Sequence, residues 1–393
     1  MESLPAKSDP LIRPVMPELD SVRGIAVTGV LLLHAFYWQY GSAQFSGTAR
    51  LFLLATRPGS LGVNLFFVLS GFLITGILLE SKGKPQYFRR FYTRRALRIL
   101  PAYYLLLILL AVLHSSSAAF LGLSFVYLAN VTGLFGVACG YGPLWSLAVE
   151  EHYYIFWPAV TYKLTRRHLA VVSVAICVLI PVLRAVSFRL GYTAGLDWYT
   201  WFVADGLATG SLLAILLRTS ASRKMVAVLC GTLLAGGFTL ACVGRSFGIL
   251  TRERLLGAAL QETVIDIVFA GFLLLVLLLG TSAHRRYVNN SVLQFLGYIS
   301  YGLYLIHLLV FRIYDQLCGN FWPSLQPTPG HFGLIVLRFF LAGGVAIGLA
   351  YLSRKYFEER FLRLKDRFAG AKHAELLLAP RAEEEASPQE ASA

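Results

Sequence analysis

The chain has 393 residues, of which 56% are hydrophobic and only 14% are charged. A composition this apolar excludes an ordinary soluble domain and indicates a protein that crosses a membrane many times. The net charge is +14, and the basic residues lie in short clusters between apolar segments, as is typical of membrane proteins. This distribution argues against nucleic acid as a partner.

Ten apolar segments are long enough to cross a bilayer, so the predicted fold class is an all-α, polytopic membrane helix bundle. In chain order the predicted spans are 21–40, 60–79, 99–114, 144–162, 169–187, 198–217, 225–243, 262–280, 292–313 and 332–353. A further apolar stretch, 118–138, carries Asn130, Thr132 and three glycines. We expect it to lie at the outer face without crossing.

The basic residues decide the orientation. With 118–138 outside the membrane, 26 lysines and arginines fall on the cytoplasmic side and eight on the outer side, as the positive-inside rule requires. This predicts cytoplasmic termini and a basic cytoplasmic connector at 80–98. Residues 1–369 would form one integral-membrane domain, and the polar tail 370–393 is predicted to be disordered. The five cysteines form no metal-binding pattern, so no metal site is predicted.

The first span contains two basic residues, Arg23 and His34, eleven positions apart. On a helix this spacing returns to the same face, about 16 Å further along the axis. Ionisable groups at membrane depth are functional candidates because burying them in hydrocarbon is costly. The structural alternative is that Arg23 anchors the helix at the cytoplasmic surface and His34 packs within the bundle.

Three later spans place ionisable residues at a similar predicted depth, namely Glu150, Asp205 and His307. Measured along each helix, they lie about 16–22 Å from the cytoplasmic edge, level with His34. A buried polar reaction chamber would explain this agreement in depth. Polar side chains that only join helices are the alternative reading.

The connector 80–98 ends with Arg95 and Arg98, which share one helix face. Guanidinium groups bind phosphates through paired hydrogen bonds, so the pair is a candidate phosphate clamp. Attraction to anionic lipid headgroups is the alternative.

Five motifs in this order and spacing resemble the acyltransferase-3 family of integral-membrane acyltransferases. They are Arg23-x10-His34, Phe66-Phe67-Val68-Leu69-Ser70-Gly71-Phe72-Leu73-Ile74, Arg95-x-x-Arg98-Ile99-x-Pro101, Trp145-Ser146-Leu147-x-x-Glu150-Glu151-x-Tyr153 and Ser300-Tyr301-x-x-Tyr304-Leu305-x-His307. The resemblance covers roughly residues 15–365. It implies transfer of an acyl group, usually acetyl, from cytoplasmic acyl-CoA to a hydroxyl of a cell-envelope glycan, lipopolysaccharide or related glycoside. A bacterial inner membrane is the implied location.

The resemblance also implies roles for individual residues. Arg23, Arg95 and Arg98 would bind the phosphates of acyl-CoA, with acetyl-CoA as the expected donor. His34 would be the general base for the acceptor hydroxyl, oriented by Glu150. Residues expected to contact substrate or support the site are Asp20, Ser70, Glu151, Asp205, Tyr301, Tyr304 and His307.

The chain departs from the family pattern at Val203, where many members carry an arginine that accompanies the aspartate equivalent to Asp205. Arg184 and Arg338 are the candidate substitutes. The fused extracytoplasmic esterase-like domain of some members is also not expected here. The main rival function is a secondary transporter or flippase for a sugar or lipid-linked substrate, and a second rival is a structural subunit without catalysis.

Overall fold

The computed structural model describes residues 11–219 and 221–368, and within these ranges the regular structure is entirely helical. The first half contains α1 (Pro17–Tyr40), α2 (Gly47–Thr56), α3 (Leu61–Ser81), α4 (Tyr87–Val112), α5 (Ala118–Phe125), α6 (Leu144–Lys163) and α7 (Arg166–Arg189). The second half contains α8 (Thr200–Val203), α9 (Asp205–Leu216), α10 (Arg223–Phe247), α11 (Leu255–Gly280), α12 (Ser291–Tyr298), α13 (Ser300–Phe321), α14 (Phe332–Leu352) and α15 (Glu359–Phe368).

This architecture confirms a polytopic helical membrane bundle. Seven helical segments in the described ranges are long and apolar enough to cross a membrane, or eight if α12 and α13, bent by 75°, form one span. Helical segments occupy all ten predicted positions, but α6 and the broken pair α8–α9 are not among these seven or eight. Ten spans, and termini in the cytoplasm, therefore stay predictions. The predicted disordered tail lies outside the described residues.

Two connections between helices refine the expected layout. The stretch 118–138 forms only α5, whose eight residues extend about 12 Å, followed by turns and a short 3₁₀ helix. This helix is too short to cross a bilayer, which agrees with the prediction that 118–138 does not cross. The segment 80–98 is not a separate connector, because α4 begins at Tyr87 and runs on to Val112. Arg95 and Arg98 therefore lie about two and three turns into a long helix, which fixes the direction of their side chains.

Glycines let the helices that carry the site pack at backbone distance. A Cβ atom at Gly71 of α3 would overlap the carbonyl of Leu207 on α9, and one at Gly210 of α9 would overlap the carbonyl of Val68. Small residues allow this close approach in membrane bundles, where dispersion contacts between helices replace the hydrophobic effect. The α3–α9 contact holds Ser70, the neighbour of Gly71, at a fixed position in the bundle.

Candidate active site

A cavity lies between α1, α3, α4, α6 and the α12–α13 bend. Its wall includes most of the residues expected from the sequence, although they come from distant parts of the chain. The polar and charged residues of the wall are Arg23, Ser70, Arg95, Arg98, Ser146, Glu150, Glu151, Tyr154, Ser300, Tyr301 and Tyr304. A concave space lined by converging polar groups is typical of a small-molecule site.

Three guanidinium groups face this cavity from two helices. Arg23 on α1 is held by Asp20, whose Oδ1 accepts a 2.6 Å hydrogen bond from Arg23 Nη1. Arg95 on α4 stacks over the ring of Tyr154 at 5.0 Å, a cation–π contact that fixes its direction. The side chain of Arg98, one turn further along α4, is accessible. The cavity therefore presents an array of cations suited to a polyanionic ligand such as a phosphate ester.

Glu150 belongs to a hydrogen-bonded group in the same cavity. Its Oε1 accepts a 2.6 Å bond from the hydroxyl of Ser70, and Tyr154 donates to Ser70 Oγ over 3.3 Å. Glu151 lines the same cavity. The expected site residues Ser70, Glu150 and Glu151 are thus brought together with the arginines.

Two tyrosines of α13 close the inner end of the cavity. Tyr301 donates a 2.7 Å hydrogen bond to the carbonyl of Ile99, which ties α13 to the helix of the arginine pair. The Tyr304 hydroxyl shares a 2.6 Å bond with Ser146 of α6. Beyond Tyr304, at 6.0 Å between ring centres, lies the imidazole of His307.

His34 and His307 form a hydrogen-bonded pair, with 3.1 Å between His34 Nδ1 and His307 Nε2. His307 Nδ1 lies 3.0 Å from the carbonyl oxygen of Leu303, which can only accept, so this nitrogen carries the hydrogen. In the neutral pair His307 Nε2 is then an acceptor, and His34 Nδ1 must donate to it. His34 therefore keeps its lone pair on Nε2, as a general base requires.

The expected contact between Glu150 and His34 is wrong. The imidazole of His34 pairs with His307, whereas the Glu150 carboxylate is engaged by Ser70. The prediction used only the depth of each residue in the membrane. Depth does not determine which faces of the helices contact each other. His307, predicted only as a supporting residue, takes the orienting position.

Asp205 lies in a separate buried cluster outside the cavity, so the expectation of a single chamber is also wrong. Its carboxylate accepts from Arg184 Nη2 and from the hydroxyl of Thr263, both at 2.7 Å. Arg184 is 1% exposed and is one of the two substitute partners expected for Asp205. The other candidate, Arg338, pairs with Asp315 instead.

Sequence reasoning missed the roles of Ser146 and Tyr154, which line the cavity and bond to Tyr304 and Ser70. A signal was present, because Ser146, Glu150 and Tyr154 follow one another at intervals of four residues. That spacing places all three on one face of α6.

Comparison with known proteins identifies relatives of similar kind. The chain is 27% identical over 378 residues to "Peptidoglycan O-acetyltransferase OatA" of Listeria monocytogenes, covering 83% of this chain and 55% of that protein. It is 29% identical over 340 residues to "Putative peptidoglycan O-acetyltransferase YrhL" of Bacillus subtilis, covering 78% and 51%. The chain thus spans about half the length of these curated relatives. No solved structure matches it.

A family model described as "Acyltransferase domain", Acyl_transf_3, matches residues 16–355. The match includes every residue that lines the cavity as well as both histidines. The chain therefore belongs to the acyltransferase-3 family of integral-membrane acyltransferases.

Proposed function

We propose that this protein is an O-acetyltransferase that moves an acetyl group from acetyl-CoA, bound from the cytoplasm, to a hydroxyl of a cell-envelope glycan. The observation that carries this proposal is the pairing of a three-arginine cavity with a hydrogen-bonded histidine pair beside Tyr304 of its wall. The relatives' names favour peptidoglycan as the glycan. Lipopolysaccharide or a related glycoside has the same hydroxyl chemistry.

Arg23, Arg95 and Arg98 would hold the phosphates of the donor. Guanidinium–phosphate contacts are charge-assisted, and three of them from two helices fix the direction in which the thioester enters. The acyl end would then point past Ser70 and Glu150 toward Tyr304. His307 lies next to this tyrosine, and His34 is hydrogen-bonded to His307.

His34 would act as the general base. The acceptor oxygen attacks the thioester carbonyl carbon, the carbon–sulfur bond breaks, and His34 Nε2 takes the hydroxyl proton. The same proton passes to the departing thiolate, so the products are the ester and free CoA thiol. While His34 is protonated, His307 Nε2 accepts from its Nδ1–H, as the carboxylate does in a hydrolase triad.

The arginine cavity favours this function over a transporter or flippase. Buried histidines and carboxylates would serve proton coupling equally well. Proton coupling does not require guanidinium groups grouped for a phosphorylated ligand. The family's acyltransferase description points the same way.

The test is acetylation of envelope glycans in cells with and without the gene. Mass spectrometry of purified peptidoglycan and lipopolysaccharide should show acetyl esters that disappear on deletion and return with the wild-type gene. The catalytically disabled His34→Ala variant, expressed at the same level, is the control for indirect effects. Unchanged acetylation in the deletion strain, for every envelope glycan, would contradict the proposal.

A further inference from the structure

His34 sits on an irregular part of its helix. Leu33–Tyr37 forms a π-helical turn inside α1, in which the amide of Trp38 donates to the carbonyl of Leu33. Such turns are rare and cost stability, and where they persist they are often at functional sites. The turn contains neither proline nor glycine, so its own sequence does not force the distortion. Something in the surrounding structure must hold it.

Arg338 of α14 contacts this turn directly. Its Nη1 donates a 3.2 Å hydrogen bond to the backbone carbonyl of Ala35, the residue after His34. Its Nε and Nη2 form a two-pronged pair with Asp315, at 2.6 and 2.8 Å. The guanidinium also lies 4.5 Å from the ring centre of Phe311 and is 2% exposed.

These contacts join the two histidine helices. Asp315 lies on α13, eight residues beyond His307, so the ion pair ties α14 to the helix of His307. The bond to Ala35 ties the same guanidinium to the helix of His34. One buried side chain therefore spans α1, α13 and α14 and fixes the relative position of the two imidazoles.

We infer that Arg338 is a positioning residue: it holds the π-helical turn of α1 so that His34 Nε2 points at the acceptor hydroxyl. The inference rests on the proposed role of His34 as base. Without Arg338, the Ala35 carbonyl loses its side-chain donor and the turn can relax toward a regular helix, which rotates His34. A displacement of about 1 Å at a catalytic group costs roughly 100-fold in rate.

The test is a double-mutant cycle between Arg338→Met and His34→Ala, measured on purified protein with radiolabelled acetyl-CoA and peptidoglycan fragments. Rates are divided by the amount of protein that binds CoA, so that a loss of folded material does not count. We expect Arg338→Met to lower the turnover about 100-fold in the wild-type background and less than twofold in the His34→Ala background. Affinity for CoA should be unchanged.

Equal losses in both backgrounds would mean that Arg338 acts on the whole bundle, and this would overturn the inference. So would full activity of Arg338→Met in a protein that needs His34. Full activity of His34→Ala itself would instead reject the proposed base. If Arg338→Met does not fold, Arg338→Lys and Asp315→Asn replace it. Arg338→Lys should keep part of the activity, because an ammonium can still donate to the Ala35 carbonyl but cannot form the forked pair with Asp315.

Discussion

At the scale of single residues, the hydrogen bonds assign the basic nitrogen of the site. The carbonyl of Leu303 makes His307 Nδ1 a donor, so in the neutral pair His307 Nε2 accepts from His34 Nδ1. The lone pair of His34 is therefore on Nε2. In the proposed mechanism His307 takes the place of the carboxylate in hydrolase triads, and the Leu303 carbonyl fixes the tautomer of His307. Glu150 does not pair with His34 and instead accepts a hydrogen bond from Ser70 in the cavity.

The arginines give the sharpest prediction at this scale. Replacing Arg95 or Arg98 by alanine should weaken acetyl-CoA binding by about 1.5–3 kcal/mol each, roughly 10- to 150-fold. Lysine should restore only part of the affinity, since it lacks the forked geometry. Isothermal titration with CoA at several salt concentrations measures this.

The neighbouring residue Arg94 supplies a matched control. It is exposed and does not line the cavity, so Arg94→Ala removes the same charge without removing a predicted contact. Equal losses for Arg94→Ala and Arg95→Ala would mean that the basic helix attracts anions in general, for instance lipid headgroups.

Residue spacing predicted some parts of the site and not others. Arg23 and His34 lie on one helix, where angle and rise are fixed, and both prove to have site partners. Which residue faces His34 across the bundle depends on helix rotation, which the sequence does not display. The assignment of Glu150 as its partner failed for that reason.

At the scale of helices, the close α3–α9 contact is a testable element of the fold. Gly210→Ala places a Cβ atom against the carbonyl of Val68, and a rigid backbone has no room to yield. We expect a loss of about 1–3 kcal/mol in stability, as for overpacking elsewhere. Thermal unfolding in detergent, followed by size-exclusion chromatography, measures it.

The control is Gly236→Ala on α10, where an added Cβ meets nothing within 4 Å. Alanine has a higher helix propensity than glycine, so the stability of this variant should be unchanged or slightly increased. Equal melting temperatures for the two variants would contradict this, because they would show that the α3–α9 interface accommodates an added methyl group.

Irregular helix geometry was beyond prediction from the sequence. The π-helical turn at Leu33–Tyr37 and the 75° bend between α12 and α13 both lie in continuous apolar segments. Hydrophobic periodicity reports the face of a regular helix, and neither segment carries a proline at the break. The π-helical turn has a tertiary contact instead, the hydrogen bond from Arg338 to the Ala35 carbonyl.

At the scale of the whole molecule, composition and charge predicted the helical bundle but not its internal division. Hydropathy located the helices because lipid requires every span to satisfy its own backbone. The polar residues then separated into a cavity, a histidine pair and the Arg184–Asp205 cluster, which a common depth could not distinguish. Lateral arrangement comes from packing between helices distant in sequence.

The orientation of the bundle is a prediction that labelling can test. In a variant with the native cysteines replaced, Ser81→Cys should react with a membrane-impermeant maleimide only from the cytoplasm, and Ser187→Cys only from outside. Ser81 is the last residue of α3, and Ser187 lies near the end of α7. Labelling of both from one side would contradict the topology that makes the arginine cavity cytoplasmic.

The most direct measurement separates donor binding from transfer in His34→Ala. The purified variant is first shown to be folded, and then CoA affinity and acetyl transfer to a glycan fragment are measured independently. We expect unchanged CoA affinity, because Arg23, Arg95 and Arg98 remain, and transfer reduced about 10²- to 10⁴-fold, the usual contribution of a general base. A folded variant that transfers acetyl groups at the wild-type rate would contradict the role of His34 as the base.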